Sequence, residues 1–194
     1  MKINKKKFIY LISPNKIVNS FYNNLKLILK TKKVSFFQLR LKNYSIKKKI
    51  IIGKKIKNIC KKNKVKFIIN DDPLLALKLN ADGCHLGQKD MNFRIAKKIL
   101  GKKIIGITCH NSINLAKKAI KAKADYIAFG AFNRSKTKKT KHVASVKILN
   151  KVKKFTKTPT VAIGGINALN YKNLLLNNAN FLAISGYIWN NKKY

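Results

Sequence analysis

Residues 70–91 read NDDPLLALKLNADGCHLGQKDM and hold Asp71, Asp72, Asp82 and Asp90. The whole chain has 45 Lys plus Arg against five Asp plus Glu, so four of its five carboxylates fall in this window. The fifth is Asp125, and there is no glutamate. A chain so poor in acid keeps carboxylates where another residue type cannot serve. A hard divalent cation is one such demand: Mg²⁺ usually takes one or two protein carboxylates and fills its shell with phosphate oxygens and water. Asp71 and Asp90 are the candidate metal ligands. Asp72 precedes Pro73 and reads as the N-cap of a helix with proline at its first position. Asp82 and Asp125 each open an apolar run and read as structural.

Two segments have the composition of phosphate cradles. Residues 130–139, GAFNRSKTKK, offer a glycine for close backbone approach, the hydroxyls of Ser135 and Thr137, and the point charge of Lys138. A solvated basic loop is the plainer reading of the same residues. The second segment is Gly164-Gly165-Ile166-Asn167, together with Ser185-Gly186. Two phosphate sites and a metal imply two substrates, one carrying a metal-bound pyrophosphate and one a monophosphate. With no glutamate base and no Ser-His-Asp set, the chemistry on offer is electrostatic: a metal stabilising a leaving pyrophosphate, assisted by Arg40 and Lys138.

These residues must be positioned by the elements around them. Apolar runs at 8–12, 35–39, 66–69, 82–86, 104–107, 125–129, 159–163 and 181–185 read as strands. They are nearly continuously apolar, as parallel strands covered by helices are. Between them lie segments of helical period near 16–30, 45–62, 73–80, 92–100, 112–123, 144–155 and 168–177. Eight strands, each followed by a helix, predict a (β/α)8 TIM barrel in one domain spanning residues 1–194. It is compact, at about 24 residues per repeat, and the nine residues GYIWNNKKY predict a truncated last helix. KLNADGCHLGQ (78–88), KAKADYIAFGA (121–131) and LNNANFLAISG (176–186) form a partial internal repeat, each passing through Ala-Asp or Ala-Asn into a short strand and a glycine. In such barrels the active site lies at the carboxyl ends of the strands. That rule gathers Gln38, Arg40 and Lys42 after strand two, Asn70 and Asp71 after three, His85, Gln88 and Asp90 after four, and Thr108 and His110 after five. Strand one ends in Ser13-Pro14-Asn15, which offers no chemistry of its own.

The formal net charge of +40 could speak for a nucleic-acid partner. Its distribution speaks against one. Arginine, the residue suited to bidentate and stacking contacts, occurs three times, and the lysines are scattered over every segment. Lys, Asn and Ile are enriched together, as AT-rich codons would produce. No specific nucleic-acid partner is expected, although such a charge binds polyanions nonspecifically at low salt. Cys60, Cys84 and Cys109 have no CxxC spacing, against a zinc site or a disulfide framework. No run approaches the roughly 18 apolar residues of a membrane span, and the apolar run at 8–12 is too short for a signal peptide. A cytoplasmic protein acting on small molecules, with no membrane partner, is expected; a homo-oligomer is compatible with the sequence.

FQLRLK (37–42), IIND (68–71), ADGCHLGQKDM (81–91), IIGITCHN (104–111), FGAFNRSKTKK (129–139), VAIGGIN (161–167) and FLAISG (181–186) together resemble the thiamine-phosphate synthase family, in family order and over roughly three quarters of the chain. The resemblance implies a Mg²⁺-dependent transferase on a (β/α)8 barrel. It would join 4-amino-2-methyl-5-hydroxymethylpyrimidine diphosphate to a thiazole phosphate, giving thiamine monophosphate and pyrophosphate. In the family, pyrophosphate leaves first and the thiazole nitrogen traps a pyrimidine carbocation. By position, Asp71 and Asp90 would hold Mg²⁺. Gln38, Arg40, Lys42 and Asn70 would contact the pyrimidine diphosphate, with Lys138 on its pyrophosphate. Thr108 stands where the family usually has Ser, and Arg40, Lys138 and Thr108 would carry the chemistry. Ser135 and Thr137 would border the thiazole phosphate, and Gly165, Ile184 and Ser185 would bind it mainly through backbone. His85 would line the pyrimidine pocket or serve structurally, and His110 is equally open. An acid of the family's strand-two motif is Leu41 here, which alternation turns away from Gln38, Arg40 and Lys42. The family's Gly-Pro after strand six is Gly130-Ala131. Two other readings remain: a thiazole tautomerase on the same barrel, which has no need of the diphosphate and metal residues, and a decayed barrel that binds polyanions.

Overall fold

The structure, a computed structural model, describes residues 7–133 and 143–190. Eight parallel strands close into a barrel in sequence order. They are β1 (Ile9–Ile12), β2 (Val34–Leu39), β3 (Lys66–Asn70), β4 (Gly83–Leu86), β5 (Ile104–His110), β6 (Tyr126–Gly130), β7 (Thr160–Ile163) and β8 (Phe181–Ile184), with β8 pairing β1. The helices are α1 (Phe21–Lys30), α2 (Ile46–Lys62), α3 (Pro73–Lys78), α4 (Phe93–Leu100), α5 (Ile113–Lys121), α6 (Lys147–Lys153), α7 (Tyr171–Leu176) and α8 (Gly186–Asn190). The (β/α)8 expectation holds, and the eighth helix is five residues long. α8 docks across the β1 end: the Trp189 indole N–H donates to the Ile12 carbonyl at 2.6 Å, and its ring packs on Phe21.

Strand alternation divides the apolar residues into an inside and an outside. Outward residues such as Leu11, Phe37, Leu39, Ile69 and Cys84 pack under α1 to α4, and Ile127, Phe129, Ala162 and Leu182 pack under α5 to α7. Leu41, half a turn out of phase with Arg40, is 4% exposed in the first group, as its position predicted. Inward residues form a third cluster of Tyr10, Ile12, Phe36, Ile68, Tyr126, Ala128, Val161, Phe181 and Ala183. Four of its rings touch in series: Phe181 on Phe36 at 5.1 Å, Phe36 on Tyr10 at 5.1 Å, and Tyr10 on Tyr126 at 5.7 Å between centroids. The barrel is thus plugged by side chains below the site and is not a pore.

The internal repeat has one physical cause at all three positions. Asn80, Lys123 and Asn178 sit in the left-handed region at φ 44°, 63° and 70°. The N–H of the following alanine then bonds back to a carbonyl five residues earlier: Ala81 to Ala76, Ala124 to Ala119 and Ala179 to Leu174. This is the Schellman closure of a helix end. The next side chain accepts the N–H of a residue on the preceding strand at 2.9 Å in each case: Asp82 from Phe67, Asp125 from Ile105 and Asn180 from Thr160. So Asp82 and Asp125 clamp strand starts at the bottom of the barrel, and Asp82 also pairs with Lys66 at 2.9 Å. Asp72 caps α3, accepting from the Leu75 N–H at 2.9 Å, with Pro73 in the first turn. Three of the five carboxylates are accounted for by structure.

Candidate active site

The other two carboxylates stand at the top. Asp71 follows β3 at φ 65°, a conformation Asp tolerates better than most residues. Its N–H donates to the His85 carbonyl at 2.8 Å, which fixes the turn. Asp90 lies in the loop after β4, where its carboxylate accepts the Gly87 N–H at 2.6 Å. A Cβ on residue 87 would stand 2.9 Å from that same oxygen, so the carboxylate would have to shift to admit it. Burial pushes the Asp71 carboxyl above the ordinary aspartate range, and the neighbouring Asp90 carboxylate pushes it further. Lys42, 3.6 Å from Asp71, and Arg40 offset only part of this. Two carboxylates held side by side against their own repulsion form a donor set that a hard cation satisfies. Among the described residues no group of three or more His, Cys, Asp or Glu gathers to hold a metal.

The pair sits within a ring of polar side chains. Gln38, 3% exposed, donates through its amide to the Asn70 side-chain oxygen across the β2–β3 pairing. Asn70 and His85 are register partners, as are His85 and Gly106. His85 Nε2 is 2.8 Å from the Thr108 hydroxyl, and Nδ1 is 3.0 Å from the Tyr126 hydroxyl. Burial pushes His85 down to about 4, so the ring is neutral. Gln88, collected from the sequence without a role, donates its side-chain amide to the Thr108 carbonyl. The β1 end has more function than Ser13-Pro14-Asn15 suggested. The Ser13 hydroxyl accepts the Arg40 N–H at 2.9 Å, the Asn15 side chain accepts from the Arg40 guanidinium at 3.4 Å, and Ser185 donates to the Ser13 carbonyl at 3.1 Å. A cavity of about 260 Å³ opens beside Asp71, lined also by Lys42, Asn70 and Asp72 and by Leu39, Leu41, Ile69 and Leu75 of the outer apolar layer. The larger concavity, about 890 Å³, lies at the strand starts among Lys57, Lys61, Lys64, Lys102 and Lys103. It is remote from this chemistry.

On the far side of the ring, Gly164 and Gly165 turn the chain after β7 at φ 104° and 60°. A Cβ at 164 would overlap Ala131. The Asn170 side chain fastens the loop, donating to the Gly165 carbonyl and accepting from the Asn167 N–H, both at 2.9 Å. The pairing of Ile163 with Ala183 brings the Gly165 and Ser185 segments side by side. The Ile184 side chain points outward into the apolar layer, so only its backbone is free to meet a ligand. His110 ends β5 at φ 51°. Cys84 and Cys109 face the outer core, fully buried, and burial pushes Cys109 up to about 12 and Cys84 higher. Neither is a nucleophile. Ser135, Thr137 and Lys138 lie outside the described residues. Tyr10 and Tyr126 were missed because a tyrosine inside an apolar strand reads as core. The one signal was that the first inward position of IYLI and of YIAFG carries a hydroxyl.

A closed eight-stranded barrel with its polar residues gathered at the carboxyl ends of the strands is the arrangement of a (β/α)8 enzyme. Comparison with known proteins narrows the class. A family model described as thiamine monophosphate synthase matches residues 9–188. The chain is 69% identical to a thiamine-phosphate synthase of Pelagibacter ubique, covering 100% of this chain and 95% of the relative. It is 38% identical to one of Erythrobacter litoralis, covering 93% and 87%. Among solved structures, a thiamine phosphate pyrophosphorylase from Pyrococcus furiosus superposes with a TM-score of 0.83 at 29% identity, covering 94% and 87%. The chain belongs to the thiamine monophosphate synthase family, and its activity is that of a transferase of thiamine biosynthesis. The tautomerase reading yields to this assignment. No described helix is long and apolar enough to cross a membrane.

Proposed function

We propose that the chain couples 4-amino-2-methyl-5-hydroxymethylpyrimidine diphosphate to thiazole phosphate, releasing pyrophosphate and forming thiamine monophosphate, with Mg²⁺ held by Asp71 and Asp90. The observation that carries this reading is the Asp71–Asp90 pair: two carboxylates brought together in a chain that has five, with Asp71 pushed toward protonation by burial and then by its neighbour. When bound, Mg²⁺ supplies positive charge to the pyrophosphate leaving group. The protein's own residues do the rest. Arg40 and Lys42 border the carboxylates and supply cationic charge for the diphosphate. Gln38, Asn70, His85 and Thr108 form a linked polar wall for the pyrimidine. The C–O bond breaks with its electron pair leaving on pyrophosphate, and the thiazole nitrogen donates its lone pair to the resulting carbocation. No general base is needed, which agrees with a chain lacking glutamate. Gly165, Ile184 and Ser185 hold the thiazole phosphate through backbone, and Ser135, Thr137 and Lys138 complete the phosphate contacts. The protein works in the cytoplasm. Asp71→Ala and Asp90→Ala test the reading in an assay of thiamine monophosphate formation over a Mg²⁺ titration. Each is expected to lose at least about a hundredfold in rate. Full activity in both would remove the carboxylates from the mechanism.

A further inference from the structure

We propose that Tyr10 and Tyr126 are positioning residues that fix the direction of a buried hydrogen-bond chain, so that Thr108 meets the substrate as a hydrogen-bond donor. The chain crosses the barrel interior: Tyr10 hydroxyl to Tyr126 hydroxyl at 2.8 Å, Tyr126 hydroxyl to His85 Nδ1 at 3.0 Å, and His85 Nε2 to Thr108 Oγ1 at 2.8 Å. Tyr10 is 1% exposed, Tyr126 0% and His85 9%. Gly106 makes the room, since a Cβ there would occupy the Tyr126 ring. The His85 ring stacks on that of Tyr126 at 5.6 Å between centroids.

Each hydroxyl has one proton to give, and a neutral imidazole has one N–H. Three links can therefore run in two directions, set by which ring nitrogen carries the proton. In one, Thr108 donates to Nε2, Nδ1–H donates to Tyr126, and Tyr126 donates to Tyr10. The Tyr10 proton is then left in the barrel core, or that of Tyr126 if Tyr10 donates to it instead, and among the described residues neither hydroxyl has a further partner. A buried donor without an acceptor is the costlier kind of orphan. In the other order, Tyr10 donates to Tyr126, Tyr126 donates to Nδ1, and Nε2–H donates to Thr108. Every proton inside the core is then accepted. The only proton left over is that of the Thr108 hydroxyl, at the carboxyl end of β5 where the site begins. The second order holds. His85 is the Nε2–H tautomer, and Thr108, its oxygen already accepting, offers its hydrogen outward. The group it meets must be an acceptor: an unprotonated ring nitrogen or a phosphate oxygen of the pyrimidine diphosphate. This last step rests on the substrate assignment proposed above; the direction of the chain does not.

Two measurements separate them. Long-range ¹H–¹⁵N NMR on histidine-labelled protein without substrate reads the tautomer, with Tyr126→Phe assigning His85 among the three histidines. Expected is a protonated Nε2 and an unprotonated Nδ1 at neutral pH, with the Nδ1 resonance moving toward that of a free acceptor in Tyr126→Phe. A protonated Nδ1 overturns the proposal whatever the activity. In the coupling assay, Thr108→Val removes the donor at nearly constant volume and is expected to raise KM for the pyrimidine diphosphate about tenfold, leaving KM for thiazole phosphate unchanged. Thr108→Ser restores the donor and is expected to stay within about threefold of wild type. An unchanged KM in Thr108→Val refutes the donor role.

Discussion

Replacing Asp125 separates the two ends of the barrel. Its carboxylate accepts the N–H of Ile105 at 2.9 Å at the start of β5, and Ile105 is fully buried. Asp125→Ala leaves that N–H without its acceptor, and a buried donor so orphaned costs about 1–3 kcal/mol. Taking about 2 kcal/mol and a urea dependence of about 3 kcal/mol/M, the unfolding midpoint should fall by about 0.7 M. Asp125→Asn should cost under about 1 kcal/mol, because Asn180 makes the equivalent bond to Thr160 at the same length in the third repeat. Neither change should alter kcat/KM, since Asp125 opens β6 at the end opposite Asp71 and Asp90. Urea unfolding followed by far-ultraviolet circular dichroism, paired with the coupling assay at low urea, reads both. If Asp125→Asn is as damaging as Asp125→Ala, the charge and not the acceptor is what matters. If Asp125→Ala stays folded but loses activity, the division into a structural bottom and a chemical top is wrong.

Three further outcomes follow from the same geometry. Without Mg²⁺, Asp90→Asn should unfold no earlier than wild type, because it relieves the repulsion that adds to burial in raising Asp71; a clear drop in urea midpoint would mean that the pair is structural. His85, held down at about 4 while the unfolded chain titrates at 6.5, binds its proton more weakly when folded, so its contribution to stability is lost as pH falls from 6.5 to 4. At 1.36 kcal/mol per pH unit this is about 3 kcal/mol, and urea midpoints of wild type against His85→Asn over that range should show the difference. The thiols of Cys60, Cys84 and Cys109 are buried and pushed up, so a thiol reagent at pH 8 should find none in the folded protein and three after unfolding; rapid labelling of the native protein would contradict their placement.

The barrel was legible because its strands are covered on the outside and plugged within, which makes them short, continuous apolar runs. Edges were less legible where polar residues still belong to an element. β5 runs to His110 and not Ile107, because Thr108 turns inward to the site while Cys109 packs outward. α1 begins at Phe21, past the residues 16–20 whose composition had suggested helix. The carboxylates were legible as a set: scarcity in a basic chain marked them, and Pro73 and the Ala-Asp repeat sorted cap and clamp from candidate metal ligand. The Tyr10–Tyr126–His85–Thr108 chain was not legible. Its first link joins residues 116 apart, and nothing local distinguishes a tyrosine that polarises a histidine from one that fills a core. Ser13 was passed over for a similar reason, since its partner is the backbone of Arg40 on the next strand.

The central claim is coupling of two phosphorylated halves at a two-carboxylate site. Purified protein given both substrates, with Mg²⁺ and then with excess EDTA, tests it most directly when thiamine monophosphate is read as its fluorescent thiochrome. Product with Mg²⁺ and none with EDTA is the result predicted. Undiminished product in EDTA would contradict the metal site, and no product in either condition from folded protein would contradict the coupling itself.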